Sequence, residues 1–484
     1  MERRKFLAGS AGAVAMGAAV TALNVSAAAA IEGETLSGSG KNLGPLVDTP
    51  DQTDGQVRLG LPEGWTYRSV GATGSIMSDG IPTPGRQDGM AAFWGSDGNI
   101  RLIRNHEERE SAANGPRPFP GRRVDAYDRN VIGGTTTLTI DPKTRELISD
   151  WLSLNGTTFN CAGGPTPWGT WISCEESVNG PDVGPDFAGN GPDFLRPHGY
   201  IYEVDPEKGP GRSQGVPIRS AGRFAHEAVA VDPRTGALYQ TEDQFLSAAG
   251  FYRYTTPNSP LAAERILDGG TLEMLRVKGA TEPTNLGGVL EVGAEYEVDW
   301  VTIDEPNPTW SPNNPMPNND AIAAVAAQGF AKNGAQFARP EGCWYGNGYI
   351  WFSATRGGAT QFEGNLFGEY GNGRGQIWRF DPLCQTLTLV FQSTDPAVLD
   401  LPDNLTVAPS GAVVICEDGG DGNFVRCLDH DGVLTNVAEN RTQRPNDEFA
   451  GVCFSPDGRT MFVNIQAAEG LTFIIWREDN KPLL

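Results

Sequence analysis

One turn recurs along this chain and limits what it can fold into. "GTTTLTIDPKTRELISDWLSL" passes through Asp141–Pro142–Lys143–Thr144 between two stretches rich in β-branched and aromatic residues. "GYIYEVDPEKG" turns at Asp205–Pro206, "AVAVDPRTGALYQTED" at Asp232–Pro233 and "GQIWRFDPLCQTLTLVFQS" at Asp381–Pro382. "GVCFSPDGRTMFVNIQ" turns at Ser455–Pro456–Asp457–Gly458. Proline fixes φ at the first turn position and aspartate hydrogen-bonds its own backbone, so each unit reads as an antiparallel hairpin. Recurrent hairpins with almost no sustained helical periodicity predict an all-β chain, and a β-propeller rather than a sandwich.

The hairpins are unevenly spaced, which predicts long inserts between them. "GPDVGPDFAGNGPDFLRP" is one, and "NPTWSPNNPMPNNDAIAAVAAQGFAKNG" is another, with a short helix around Asp320–Gly329. Gly 62 and Pro 35 in 484 residues, without a collagen-like period, fit a chain of many turns. Asp+Glu 60 against Lys+Arg 37 gives a formal charge of -23. That excludes a basic nucleic-acid footprint and a polybasic membrane patch. Carboxylates in such excess are also available for hard cations, which take oxygen ligands.

The first 30 residues stand apart. Arg3, Arg4 and Lys5 precede the apolar run "AGAVAMGAAVTAL" and the small-residue stretch "NVSAAAA". This is a secretory layout, and the adjacent Arg3–Arg4 before Phe6–Leu7 place it in the twin-arginine class, with cleavage expected near Ala28–Ala30. The export machinery is then a partner, and the destination is periplasmic, cell-surface or extracellular. That route carries folded proteins, which hints at a cofactor loaded before export. Residues 31–60 read as an extended arm and 61–484 as a single propeller domain with inserts, and no stable membrane span is expected in the mature chain. Seven cysteines leave at least one thiol unpaired. Cys161 with Cys174, or Cys416 with Cys427, are candidate disulfides, and the connectivity stays open. Four histidines are too few for a His-rich metal site.

Carboxylates cluster beside strand-like segments rather than in charge runs. "RLIRNHEERE" sets Asn105, His106 and Glu107 after an apolar strand, with Glu108, Arg109 and Glu110 reading as a solvated continuation. "ISCEES" ends a strand in Cys174, Glu175 and Glu176; a thiolate suits iron or another transition metal, and carboxylates suit iron and calcium alike. "GRFAHEAVAVDP" and "YQTEDQF" bring His226, Glu227, Glu242 and Asp243 to one end of a hairpin, where four polar groups must be paired, hydrated or metal-bound. The competing reading there is a salt-linked turn with Arg223 and Arg234. "FARPEGCWY" carries Arg339 and Glu341; the arginine is either an ion-pair partner or a planar fork for an anionic substrate. "CEDGGDGNF" offers Glu417, Asp418 and Asp421, and "RPNDEFAG" adds Asp447 and Glu448. Propeller axes gather such segments into one pocket.

Taken in order, "RRKFLAG", "NHE", "GTWISCEE", "GRFAHE…TED", "FARPEG", "GQIWRFDP" and "CEDGGDGNF" resemble the PhoX family of secreted bacterial alkaline phosphatases, over about residues 60–480. The resemblance implies a six-bladed β-propeller with long loop and short helical insertions. It implies a site of ferric (Fe3+) and calcium (Ca2+) ions that hydrolyses phosphate monoesters. Its cysteine iron ligand would fall on Cys174. Its carboxylate ligands would fall on Glu107, Glu175, Glu176, Glu227, Asp243, Glu341, Asp418 and Glu448, without division between iron and calcium. Arg339 would contact phosphate and Asn105 would be a polar partner near calcium or phosphate. Two other readings stay open: a calcium-stabilised propeller that binds or scaffolds without catalysis, and a different propeller hydrolase such as a lactonase or phosphodiesterase.

Overall fold

The computed structural model describes residues 43–109, 126–191, 193–209, 215–362 and 368–484. The expected signal at 1–30, with Arg3 and Arg4, lies outside them, as does Glu110. The described residues form 26 strands and two α-helices, so the all-β expectation holds. The longer helix, Asn318–Phe330, covers the stretch where the sequence predicted one. No helix among the described residues is long and apolar enough to cross a membrane.

The strands pair into five sheets, which corrects the expectation of six blades. Four sheets are blade-like. One is the simple meander Gln87–Trp94, Ile100–His106, Gly133–Ile140 and Leu147–Thr157. A second joins the last hairpins to Trp65–Val70, so an early strand closes against the C-terminal ones. The third has three strands and the fourth has six. Residues 43–60, expected as an extended arm, supply strand Leu46–Pro50, which pairs with Val57–Pro62 and extends the six-stranded sheet through Leu434–Asn440.

The fifth sheet has nine strands, from His226–Val231 to Pro340–Gly346. It is continuous because strand Glu295–Thr302 uses only its second half to pair with Thr271–Val277. Its free half, Glu295–Glu297, pairs with Thr386–Thr388 and fuses what would otherwise be separate meanders. An unpaired run of backbone donors and acceptors is a template for such addition. The first and last strands of this sheet pack against each other, so it curls nearly closed.

The five sheets present six strands to a common axis: Gln87–Trp94, Asn160–Pro165, His226–Val231, Pro340–Gly346, Pro402–Val407 and Phe449–Phe454 pack in a ring in that order. Close approach demands small residues. A Cβ on Gly89 would lie 2.5 Å from Ala162 Cα, and one on Gly342 would lie 2.6 Å from the Leu405 amide nitrogen. Away from the axis the sheets bury aromatic layers, such as Phe251 stacked on Phe352 at 4.4 Å. All seven cysteines are free, so neither candidate disulfide forms; Cys416 and Cys427 fill one apolar cluster.

The tightest contact makes the test of this ring. A Cβ on Gly164 would sit 1.7 Å from the Val229 carbonyl oxygen, whereas one on Gly420 meets nothing within 4 Å. Gly164→Ala is expected to cost about 3 kcal/mol or more in urea unfolding, and Gly420→Ala well under 1 kcal/mol.

Candidate metal centre

Each of the six axial strands carries a bulge at the same place. Against the following strand, pairing jumps from Gln87 to Met90, Asn160 to Gly163, His226 to Val229, Pro340 to Cys343, Pro402 to Leu405 and Ala450 to Cys453. Two residues then oppose one, and the bulge re-aims a side chain out of the sheet. In five strands the first bulged residue is Asp88, Cys161, Glu227, Glu341 or Asp403. In the sixth it is Gly451, held at φ 67 with no room for a side chain beside the Asp88 carbonyl.

A second set of carboxylates follows from the neighbouring strands. Glu107, Glu176, Asp243 and Asp418 each stand just past the end of one. Their amides donate to the carbonyls of Arg86, Phe159, Ala225 and Leu401 at 2.9, 2.9, 3.2 and 3.0 Å. The same bond in the fourth unit joins Thr355 to the Arg339 carbonyl at 2.8 Å. Arg86, Phe159, Arg339 and Leu401 all take left-handed φ between 48 and 54°. Non-glycine residues hold that conformation only where their surroundings compel it, and such positions concentrate at functional sites.

The two sets merge into three overlapping groups whose ligand atoms lie within 4.8 Å of one another: Asp88, Glu107 and Cys161; Cys161, Glu176 and Glu227; and Glu227, Glu341 and Asp403. Cys161 and Glu227 are shared between groups. Cys161 Sγ is 2.9 Å from Glu176 Oε2. Asp88 Oδ2 accepts from Gln466 Nε2 at 2.8 Å, while its Oδ1 is buried without a partner. Burial first, and then neighbouring negative charge, push Asp88, Glu176, Glu227 and Glu341 well above the usual carboxylate range. Burial and the same carboxylates push the Cys161 thiol up. Six carboxylates and a thiol, one oxygen orphaned, fit cations: oxygen donors for hard ions and one sulfur for a transition metal.

Arg339 borders this set. Its Nε and Nη2 donate to the two oxygens of Asp243 at 2.9 and 2.5 Å, and Nη2 also reaches Glu341 Oε1 at 3.1 Å. Its guanidinium lies 5.0 Å from the Phe245 ring centroid. Asp418 and Glu448 extend the set toward solvent; burial and Asp418 raise Glu448.

The structure therefore brings together Glu107, Glu176, Glu227, Glu341, Asp243 and Arg339 of the expected residues, with Asp418 and Glu448 beside them. It places three elsewhere. Asn105 and Cys174 stand opposite the bulges, and such residues face the next sheet. Asn105 Nδ2 donates to the Cys161 and Ala162 carbonyls at 3.0 and 2.7 Å, and its oxygen accepts from Trp171 and Ser173. Thr241 and Ser353 hold the Glu341 and Asp403 carbonyls in the same way. Cys174 packs among Ile172, Ile201 and Phe224. Glu175 is taken up by His198 Nδ1 at 2.6 Å and by the amides of Thr158, Gly199 and Tyr200.

Other local readings also change. Glu242 accepts from Gly250 and Tyr252, and Glu417 from Arg426. His226 stacks on Phe224. Arg223 and Arg234 pair with Asp182 and Asp232 rather than with Glu227 or Asp243. Glu108 is buried, and Arg109, though partly exposed, grips Glu107, so the stretch is not simply a solvated continuation. Sequence reasoning missed Asp88, Cys161 and Asp403. Their signal is a short repeat at the head of five of the six axial strands: "QDGM", "NCAG", "HEAV", "PEGC" and "PDNL", an acid or cysteine followed by glycine, alanine or asparagine.

The raised carboxyls of the cluster tie stability to pH. Burial and the neighbouring carboxylates push Asp403 up to about 8 and hold Asp88, Glu176, Glu227 and Glu341 well above their ordinary range. Unfolded carboxyls titrate near 4, so between about pH 4 and 8 these groups bind more protons in the folded chain than in the unfolded one, and their contribution to stability falls as pH rises. Thermal unfolding of chelator-treated protein is expected to show a midpoint that drops from pH 5 to pH 8, and added metal cations should flatten that slope. A chelated midpoint that rises with pH contradicts this account of the cluster.

The chain matches the family described as alkaline phosphatase PhoX over residues 42–469. Among solved structures it resembles Pseudomonas fluorescens PhoX in complex with vanadate, a transition state analogue, at 19% identity and a TM-score of 0.65, covering 91% of this chain and 98% of that one. A gluconolactonase from Xanthomonas campestris matches at 13% identity and a TM-score of 0.41, covering 90% and 97%. Virginiamycin B lyase from Staphylococcus aureus matches at 13% and 0.37, covering 85% and 99%. No curated protein matches the chain. With a family match spanning most of its length and a buried cluster of acidic and thiol ligands at its axis, the chain belongs to the PhoX alkaline phosphatase family and is a hydrolytic enzyme.

Proposed function

We propose that this enzyme hydrolyses phosphate monoesters at a mixed iron and calcium site held by Asp88, Glu107, Cys161, Glu176, Glu227, Glu341 and Asp403. The observation that carries the reading is the chain of three overlapping ligand groups, with one thiol among the carboxylates. Calcium takes oxygen ligands, so calcium alone gives no reason for Cys161; a ferric ion does. The bare cluster would repel a phosphate dianion, and bound cations supply the opposite charge and the Lewis acidity for ester hydrolysis.

The chain's own residues do the positioning. Arg339 offers a planar fork suited to two phosphoryl oxygens. Asp243 fixes the plane of that fork through two bonds, and Phe245 supports it from one side. The left-handed backbone at Arg339 sets the direction in which the side chain leaves the strand. Asn105, Thr241 and Ser353 hold the bulge carbonyls and so fix where Cys161, Glu341 and Asp403 point. We extend the proposal to export by the twin-arginine route, which the Arg3–Arg4 pair supports and which suits a metal-loaded, folded cargo.

The test is elemental analysis of natively exported protein together with turnover of p-nitrophenyl phosphate on the same sample. Cys161→Ser is expected to lose iron and to lower turnover on the order of 100-fold or more, since outer partners of metal ligands alone are worth 10–100-fold. Cys174→Ala should keep iron and turnover and cost about 1 kcal/mol of stability. Full iron in Cys161→Ser, or iron lost in Cys174→Ala, overturns the proposed ligand set.

A further inference from the structure

A second guanidinium stands at the other end of the carboxylate arc. Arg109 donates from Nε and Nη2 to Glu107 Oε1, at 3.1 Å for Nε. Its guanidinium carbon lies 4.1 Å from the Phe159 ring centroid. Its side chain is 30% exposed, against 17% for Arg339, so it is open to an incoming ligand. The two arginines repeat one design: each grips a carboxylate of the cluster with Nε and Nη2, and each rests near an aromatic ring.

The repetition has a local origin. Phe159 and Arg339 hold the same place in their axial units, each next to the first paired residue of the strand and each with left-handed φ, 54 and 52°. In one unit the arginine occupies that place directly. In the other the place holds the ring, and Arg109 comes from the end of the adjoining sheet to lie over it. Glu176 connects the two, since it feels the charges of both Asp243, the partner of Arg339, and Arg109.

We propose that Arg109 is a second phosphate-contacting residue, gripping the substrate's phosphoryl oxygens from the Glu107 side while Arg339 does so from the Asp243 side. The inference rests on the phosphatase reading above. Glu107 is a metal-ligand candidate, and a cation there would draw off the negative charge that now engages Arg109. The guanidinium can then turn its donors to an anion without leaving the Phe159 ring. Two planar forks fit a tetrahedral dianion with oxygens directed to both sides.

The experiment measures inorganic phosphate binding to iron- and calcium-loaded protein by titration calorimetry, with metal content checked by elemental analysis. Arg109→Ala is expected to weaken phosphate binding roughly ten- to hundredfold at unchanged metal content, the range of lost charged hydrogen bonds. Arg109→Met retains the packing over Phe159 but none of the donors, and should show the same loss, with KM for p-nitrophenyl phosphate rising in parallel. Phosphate binding at the wild-type level in either metal-replete variant overturns the proposal. Loss of metal from both variants also overturns it, because Arg109 would then serve only as a counter-ion to Glu107. Wild-type holoprotein that neither binds phosphate nor turns over the ester instead refutes the phosphatase reading itself.

Discussion

The structure is organised around mutual repulsion. Asp88, Glu107, Glu176, Glu227, Glu341 and Asp403 converge on one axis with a thiol among them, in a region largely shielded from water. An ionised carboxylate left unpaired in such a place costs several kcal/mol. Protonation relieves part of that cost, which is why burial drives Asp88, Glu176, Glu227, Glu341 and Asp403 above the usual carboxylate range. Cations relieve more of it, and the arginines at the rim act on only part of the cluster. Folding and metal loading are therefore coupled, because the backbone that builds the ring also creates the charge problem that the ions solve.

The ring depends on small residues and on bulges together. Gly89, Ala162, Ala228 and Gly342 let the axial strands approach, and the bulge beside each turns one acidic or thiol side chain toward the centre. The second strand of each of four units then supplies a hydrogen-bond donor to the bulge of another: Asn105 to Cys161, Thr241 to Glu341, Ser353 to Asp403 and Asn464 to Asp88. Each of these four is thus placed by a neighbouring unit as well as by its own, which ties the geometry of the site to the arrangement of the ring.

Much of this was legible in the sequence, and the failures have physical causes. The hairpins at Asp141–Pro142, Asp232–Pro233, Asp381–Pro382 and Ser455–Pro456 are where turn chemistry put them, because proline and aspartate act locally. The number of sheets was not legible: it hinges on three residues, Glu295–Glu297, finding a partner ninety positions away, and no local pattern encodes that. Within the site, Glu107, Glu176, Glu227 and Glu341 could be read because each stands beside an apolar strand. Cys174 misled because it shares a segment with two acids, yet it sits opposite a bulge and faces apolar neighbours. Cys161, in "NCAG", read as a candidate disulfide partner of Cys174; its likeness to "HEAV" and "PEGC" shows only between units and not along one.

The most direct measurement is diffraction from natively exported protein on both sides of the iron absorption edge. The account predicts an iron anomalous peak within bonding distance of Cys161 Sγ and of an oxygen of Glu176 or Glu227. An iron peak at Cys174, or no iron at the axis in active protein, would contradict it.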